Sequence, residues 1–187
     1  MAESATSATN ELEGAAGDNT LRFTQEQMKA NAAASRQRAA IFGELTLLAM
    51  QHGNYRNMAI ADLDWLIGPA VLTGNFMIAN ASWPDGSAVP VAAVTWALVA
   101  EEVDRRLMDN LTRPFRLSPA EYVSGDIAWI AHTFGPPNMV NHLLKAAMRE
   151  AGTDESDKEL PAGPLARRSV KQRTYDDGGR PIVITLS

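Results

Sequence analysis

The sequence predicts a mixed α/β fold in a single domain, in which helices flank a mostly antiparallel sheet. Apolar residues recur at helical spacing in the first third of the chain, and short apolar runs separated by turn signals follow them. One of these runs leads directly into another helical pattern, so helices and strands alternate within one layered unit. A length of 187 residues with 45% hydrophobic residues suits one domain with a packed core and excludes global disorder.

Composition excludes several classes of function. Because the chain has no cysteine, it has no disulfide framework, no thiolate nucleophile and no cysteine-ligated metal site. The histidines lack the spacing of a metal pair on one helix, so no metal is expected. A formal net charge of −5 argues against nucleic acid as a partner. No signal peptide is indicated, and the longest apolar run, residues 89–100, is too short for a membrane span, which predicts a soluble cytoplasmic protein.

The first half of the chain predicts helices followed by a hairpin. Residues 1–21 are small, polar and acidic, which is typical of a disordered leader. Thr24 and Gln27 have the outline of a capping box for a helix that continues to residue 51. The next elements predicted are a helix over 60–67 that stops at Gly68-Pro69, strands over 75–79 and 89–96 joined at Asp85-Gly86, and a helix over 98–107.

The second half is organised around residues 124–145. A Ser-Gly-Asp turn leads into an apolar run over 127–131, which predicts a buried strand. Gly135-Pro136-Pro137 ends this strand, and Asn138 is the expected N-cap of the helix that follows. A strand, a glycine loop and a helix N-terminus in this order commonly bind an anionic ligand. His132 lies where the strand meets the loop and is the first candidate for catalysis.

The C-terminal residues predict an acidic loop over 152–164 and then two strands. The strands cover residues 170–175 and 182–186, and the turn signal Asp-Asp-Gly-Gly at 176–179 joins them. The loop at Arg113-Pro114 and Ser118-Pro119 precedes the central strand.

Landmark residues occur in a fixed order between residues 41 and 148. They are Gly43, Tyr55-Arg56, Pro69-Ala70, Pro90-Val91-Ala92, Thr95-Trp96-Ala97, Ser124-Gly125-Asp126 and Trp129. Their order and spacing resemble those of the toxin-activating lysine acyltransferases, the bacterial enzymes that mature RTX-type pore-forming toxins. The resemblance implies a fold similar to the GNAT acyltransferases, often as a homodimer. It also implies acyl–acyl carrier protein as the donor, a lysine of a toxin or related protein as the acceptor, and no permanently bound cofactor.

Three positions depart from the family pattern. Tyr55 stands where the resemblance places a catalytic histidine, and His132 stands where it places the partner aspartate. Asn75 stands in place of a family glutamine. Two alternatives to lysine acylation of a toxin therefore stay open: a catalytically altered homologue that binds a partner, and an acyltransferase of the same fold with another amine acceptor.

The histidines are the candidate bases. A free lysine has a pKa of ~10.4, so few of its amines are neutral at pH 7, whereas an unperturbed histidine has a pKa of ~6.5 and suits proton removal. His132 is either this base, with Tyr55 as its hydrogen-bond partner or as an acid toward the leaving thiolate, or it only satisfies a loop carbonyl. His52 either reaches the same site or caps the end of its helix. His142 is predicted to lie on the surface.

Other residues are candidates for binding the substrates. Arg56 either holds a phosphopantetheine phosphate or lies on the surface. Asn75 and Ser124 stand at family landmarks and are assigned to substrate binding by the resemblance. Trp96 and Trp129 are on adjacent predicted strands, where they either pack in the core or line a slot for the fatty chain.

A basic cluster lies near the C-terminus of this acidic sequence. Its members are Arg167, Arg168, Lys171 and Arg173. These charges either protect a strand edge from pairing or dock an acidic carrier protein, whose encounter rate rises with opposite charge.

Overall fold

The computed structural model describes residues 24–150 and 161–186. The predicted leader over 1–21 and most of the acidic loop over 152–164 lie outside the described residues. The chain divides into two compact units, Met1–Ser35 and Arg36–Ser187. In the first unit the described residues are helical and exposed, whereas the sheet and the later helices belong to the second unit.

The helices are α1 (Gln25–Gln51), α2 (Leu63–Leu66), α3 (Gly68–Thr73), α4 (Glu101–Asp109), α5 (Pro119–Tyr122) and α6 (Pro137–Met148), with a 3₁₀ turn at Ile60–Asp62 before α2. The strands are β1 (Phe76–Ser82), β2 (Ala88–Val99), β3 (Ile127–Phe134), β4 (Val170–Tyr175) and β5 (Pro181–Leu186). The predicted capping box of α1 is confirmed, because the backbone N–H of Gln27 donates to the hydroxyl of Thr24 at 3.2 Å and the Gln27 side chain accepts from the Thr24 N–H at 2.8 Å.

The strands form one sheet in the order β1-β2-β3-β4-β5. β3 and β4 are parallel, and each of the other neighbouring pairs is antiparallel. The predicted fold class, a mixed α/β structure with a mostly antiparallel sheet flanked by helices, is confirmed. Both predicted hairpins are present, and Gly86 and Gly179 have the positive φ angles that their turns require.

Apolar side chains cover both faces of the sheet. On one face, α6 packs Leu143 and Leu144 against β2 and β3. On the other face, α4 and α5 bury Leu107 and Tyr122, and α1, α2 and α3 pack beside them around Phe134. Successive side chains of β3 point to opposite faces of the sheet, as expected for a strand. Ala128 and Ile130 pack on the face of α6, and Trp129 packs on the face of α4 and α5.

One predicted helix boundary is wrong, and two short helices were not predicted. β2 continues to Val99 because its last residues pair with β3, so the helix expected from residue 98 begins at Glu101. α2 ends at Leu66, just before Gly68-Pro69 as predicted, but these two residues also begin α3, since proline is well suited to a first helical turn. Ser118 lies in the predicted loop, but Pro119 begins the short helix α5, which Ser118 caps by accepting a hydrogen bond from the Glu121 N–H.

Two predicted boundaries around His132 are also wrong. β3 continues to Phe134, so His132 lies inside the strand rather than where the strand meets the loop. The N-cap of α6 is Pro136 rather than Asn138, which lies one residue inside the helix. No helix within residues 24–150 and 161–186 is long and apolar enough to cross a lipid bilayer.

Candidate active site

The parallel strands β3 and β4 separate toward their C-terminal ends. They pair only over residues 128–130 and 170–172. Beyond these residues both strands line a cavity of about 470 Å³, which is called the cleft below. The segment after α1 contributes Tyr55 to the cleft, α2 contributes Trp65, and the loop between α4 and α5 contributes Arg113 and Phe115.

A β-bulge determines the direction of the His132 side chain. Thr95 of β2 pairs with His132, but the next residue, Trp96, pairs with Ile130, so β3 has one extra residue at this point. Without the bulge, simple alternation would put His132 on the face of Ile130, which packs against α6. With the bulge, His132 lies on the opposite face and lines the cleft.

His132 is enclosed by aromatic rings and is 5% exposed. The ring centroids of Tyr55, Trp65, Phe115 and Phe134 lie 5.8 to 6.4 Å from its own. Its Nδ1 is 3.4 Å from the hydroxyl of Tyr55. Its Nε2 is buried and has no hydrogen-bond partner among the described residues.

The environment keeps both members of this pair neutral. Burial, with a smaller effect of the Arg173 cation, lowers the pKa of His132 to about 3, although a hydrogen bond to the backbone of Phe115 opposes part of the shift. Burial also raises the pKa of Tyr55 to about 12. At neutral pH the hydrogen bond between the phenol and Nδ1 therefore joins two uncharged groups, and its direction depends on which imidazole nitrogen carries the proton. Neither group in this state removes a proton from a lysine ammonium readily.

His52 is the third residue predicted at the site. Its ring centroid lies 5.1 Å from that of Tyr55, and it lines the cleft. Its Nδ1 also accepts a long hydrogen bond of 3.4 Å from the N–H of Asn54, in the turn after α1. The structure thus places His52 beside Tyr55 and His132, while its imidazole also accepts a hydrogen bond in the turn that ends α1. His142 is exposed on α6, outside the cleft lining.

The proposed substrate-binding residues do not assemble into one site. Trp96 and Trp129 are buried on opposite faces of the sheet, so they cannot line one slot together. The hydroxyl of Ser124 accepts a hydrogen bond from the N–H of Ala100 at 2.9 Å and holds the turn before β3. Arg56 is exposed and Asn75 is partly buried; neither belongs to the lining of the cleft.

The start of α6, where an anionic ligand was expected, lies outside the cleft as well. Gly135 and Pro136 line a separate cavity of about 310 Å³ that they share with the end of α1. His52 lines both this cavity and the cleft.

The basic cluster is divided among separate contacts rather than gathered in a patch. Lys171 donates to both carboxylate oxygens of Asp104, at 2.7 and 2.9 Å. Arg168 binds Asp126, and Arg167 lies 3.9 Å from the carboxylate of Glu150. Arg173 differs from the other three because it lines the cleft.

Sequence reasoning did not identify Thr95, Phe115 or Arg113 as parts of the site. The Thr95 hydroxyl accepts from the backbone N–H of His132 at 3.1 Å, which supports the bulge. Thr95 is fully buried. Its position as a polar residue inside an otherwise apolar strand could have indicated that it belongs to the site. Phe115 and Arg113 lie in an irregular loop, whose position depends on contacts that local sequence does not specify.

Comparison with known protein families gives one match. Residues 34–176 match the sequence profile of the RTX toxin acyltransferase family, HlyC. The matched segment is more than half of the chain and includes every residue of the cleft discussed above. No curated protein matches the chain.

Proposed function

Because the chain belongs to the RTX toxin acyltransferase family, we propose that it transfers a fatty acyl group from acyl carrier protein to a lysine of an RTX-type toxin or a related protein. The family consists of toxin acyltransferases, so the reaction class follows from membership. The carrier-bound donor, the lysine acceptor and the residues that act are the proposed part.

The observation that carries the proposal is the contact between Tyr55 and His132 in the cleft. These residues are 77 positions apart in the chain. They stand at the two positions where the resemblance places a catalytic histidine and aspartate. A polar pair that keeps its place and its contact, although both residue types differ, supports a site that still acts on a substrate.

Acyl transfer forms a bond between the lysine nitrogen and the thioester carbon and breaks the carbon–sulfur bond. One proton leaves the nitrogen, and the departing thiolate takes up one proton. Tyr55 suits the second task as a hydrogen-bond donor, because its phenol stays protonated and lines the cleft; the proton that leaves the nitrogen ends on the sulfur, so Tyr55 is unchanged by the reaction. His132 acts behind it as a positioning residue: with its proton on Nδ1, the neutral imidazole donates to the phenol oxygen and leaves the phenol O–H directed at the thiolate.

The separated strands offer a path for the donor. Residues 131–134 of β3 and 173–175 of β4 have no ladder pairing with each other, so backbone N–H and C=O groups face the cleft. The phosphopantetheine arm contains amide groups, which can pair with such an edge in the manner of an added strand. A thioester delivered along this path ends beside Tyr55 and His132.

A second candidate is a homologue that binds the carrier or toxin without transferring the acyl group. The low pKa of His132 favours this candidate, because the imidazole is a poor base in the free protein.

The two candidates are separated by incubating the full chain with a fatty acyl–acyl carrier protein and an RTX-type toxin. For the enzyme we expect an acyl mass increment on a toxin lysine and release of an equal amount of carrier thiol, measured by mass spectrometry and thiol titration. Tyr55→Phe should slow both, whereas the exposed control His142→Gln should not. Carrier binding without either product would reject acyl transfer in favour of the binding module.

A further inference from the structure

A second cavity, of about 510 Å³, adjoins the cleft and is lined by four arginines. They are Arg106 of α4, Arg113 and Arg116 of the loop that follows it, and Arg173 of β4. Arg113 and Arg173 also line the cleft, so the two cavities share part of their walls. This cavity is called the arginine pocket below.

Carboxylates compensate only part of its charge. Arg106 binds Glu121, and Arg116 binds Asp62 at 3.3 Å. Within residues 24–150 and 161–186, the side chains of Arg113 and Arg173 have no carboxylate partner. The arginine pocket therefore has two uncompensated guanidinium groups in a protein whose formal net charge is −5.

Arg173 is held in place without a carboxylate. Its terminal nitrogens donate to the carbonyls of Arg113 and Leu107, each at 2.8 Å, and its guanidinium lies 5.4 Å from the ring centroid of Phe115. Its Nε is buried and has no hydrogen-bond partner among the described residues. Partial burial lowers the pKa of this guanidinium, so ordering the cation here has a cost that a bound anion would offset.

We propose that the arginine pocket binds the phosphate group of the donor's phosphopantetheine arm, an inference that rests on the proposed function. Guanidinium groups bind phosphate oxygens through paired N–H donors. The exposed Arg113 has no carboxylate partner among the described residues, and Arg173, whose terminal nitrogens already bind carbonyls, adds its positive charge. A single aromatic ring, Phe115, separates the pocket from the catalytic pair: its centroid is 6.0 Å from that of His132 and 5.4 Å from Cζ of Arg173. An arm anchored in the pocket thus passes into the cleft beside Tyr55.

The test is a comparison of 4′-phosphopantetheine with pantetheine, which lacks the phosphate, titrated into the purified full chain by calorimetry. We expect the phosphorylated compound to bind at least tenfold more tightly and the difference to shrink at high salt. Arg113→Gln should weaken 4′-phosphopantetheine binding about tenfold, the loss expected for one hydrogen bond to a charged group, and should weaken pantetheine binding by a smaller factor. Arg113 is exposed, so its replacement should not disturb folding.

The matched control is Arg105→Gln. Arg105 is also exposed on α4, but it does not line the arginine pocket. Equal binding of the two compounds, or equal effects of the Arg113 and Arg105 substitutions, would overturn the proposal. In the acyl-transfer assay, Arg113→Gln should raise KM for acyl carrier protein. A rise in KM for the toxin alone would instead assign the pocket to acidic side chains of the acceptor and overturn the phosphate assignment.

Failure here and failure of the proposed function can be distinguished. A chain that binds 4′-phosphopantetheine through Arg113 but transfers no acyl group would reject acyl transfer and keep the phosphate site. If the chain transfers the acyl group and Arg113→Gln leaves the KM for the donor unchanged, the phosphate site is rejected and acyl transfer is kept.

Discussion

Burial of His132 should make the fold sensitive to mild acid. In the folded protein its imidazole is 5% exposed and has a pKa of about 3, whereas the ordinary value of 6.5 applies to the unfolded chain. Below pH 6.5 the unfolded chain therefore binds a proton that the folded protein does not bind. This contribution to stability is fully present above pH 6.5 and is lost progressively as the pH falls toward 3.

The magnitude follows from the uptake of one proton. Well below the unfolded pKa, each pH unit removes about 1.4 kcal/mol from the free energy of unfolding. Between pH 7 and pH 5 the loss due to His132 is about 2 kcal/mol, because the unfolded histidine is already partly protonated at the start of this range. A loss of this size is a large fraction of the ~5–15 kcal/mol that stabilises a typical domain.

Urea unfolding at pH 7, 6 and 5 measures the effect in the wild type, His132→Gln and the exposed control His142→Gln. We expect the curve of free energy against pH to be flatter by about 2 kcal/mol in His132→Gln, whatever its absolute stability, and unchanged in the control. As an independent readout, one imidazole NMR signal of the wild type should show no titration from pH 7 to 5. A His132→Gln protein that loses stability as steeply as the wild type, or three histidine signals that all titrate, would refute the reasoning.

Three further predictions concern other parts of the structure. Tyr55→Phe should lower the rate of thiol release from acyl carrier protein by on the order of a hundredfold, with wild-type stability in urea. Asp104→Ala should lower the free energy of unfolding by about 3 kcal/mol, because it removes the carboxylate that binds Lys171 and accepts from Nε1 of Trp129. The exposed Glu101→Ala should have little effect in the same assay. Gly163→Ala should lower Tm by an amount that corresponds to about 2 kcal/mol of stability, because a Cβ there would collide with carbonyl oxygens of α6. Gly43→Ala should not lower Tm, because a Cβ at Gly43 meets no neighbouring atom.

Elements governed by local chemistry could be predicted from the sequence. The capping box of Thr24 and Gln27 and the glycine turns of both hairpins depend on residues within four positions of one another. The apolar face of α6 follows from helical spacing alone, and its predicted residues Leu143 and Leu144 are buried. For these elements tertiary contacts reinforce the local preference and do not override it.

The direction of His132 could not be predicted in the same way. It depends on one extra residue in β3 opposite Thr95, and a register shift of one residue moves a side chain to the other face of the sheet. The basic cluster has the same difficulty: Lys171 and Arg173 are two positions apart and look alike in sequence. One binds the carboxylate of Asp104 from α4, and the other binds backbone carbonyls at the cleft.

The neutral state of the pair limits how a lysine can lose its proton in the cleft. With a pKa of about 3 for His132 and about 12 for Tyr55, neither group is a base matched to an ammonium near neutral pH. The surroundings that lower the pKa of His132 act on a bound lysine in the same direction, because burial among aromatic rings disfavours any cation. A donor phosphate in the arginine pocket would offset the charge of Arg173 but would leave this burial unchanged. We therefore propose that desolvation of the acceptor supplies the neutral amine in this cleft, and that Tyr55 and His132 serve the departing thiolate rather than the attacking nitrogen.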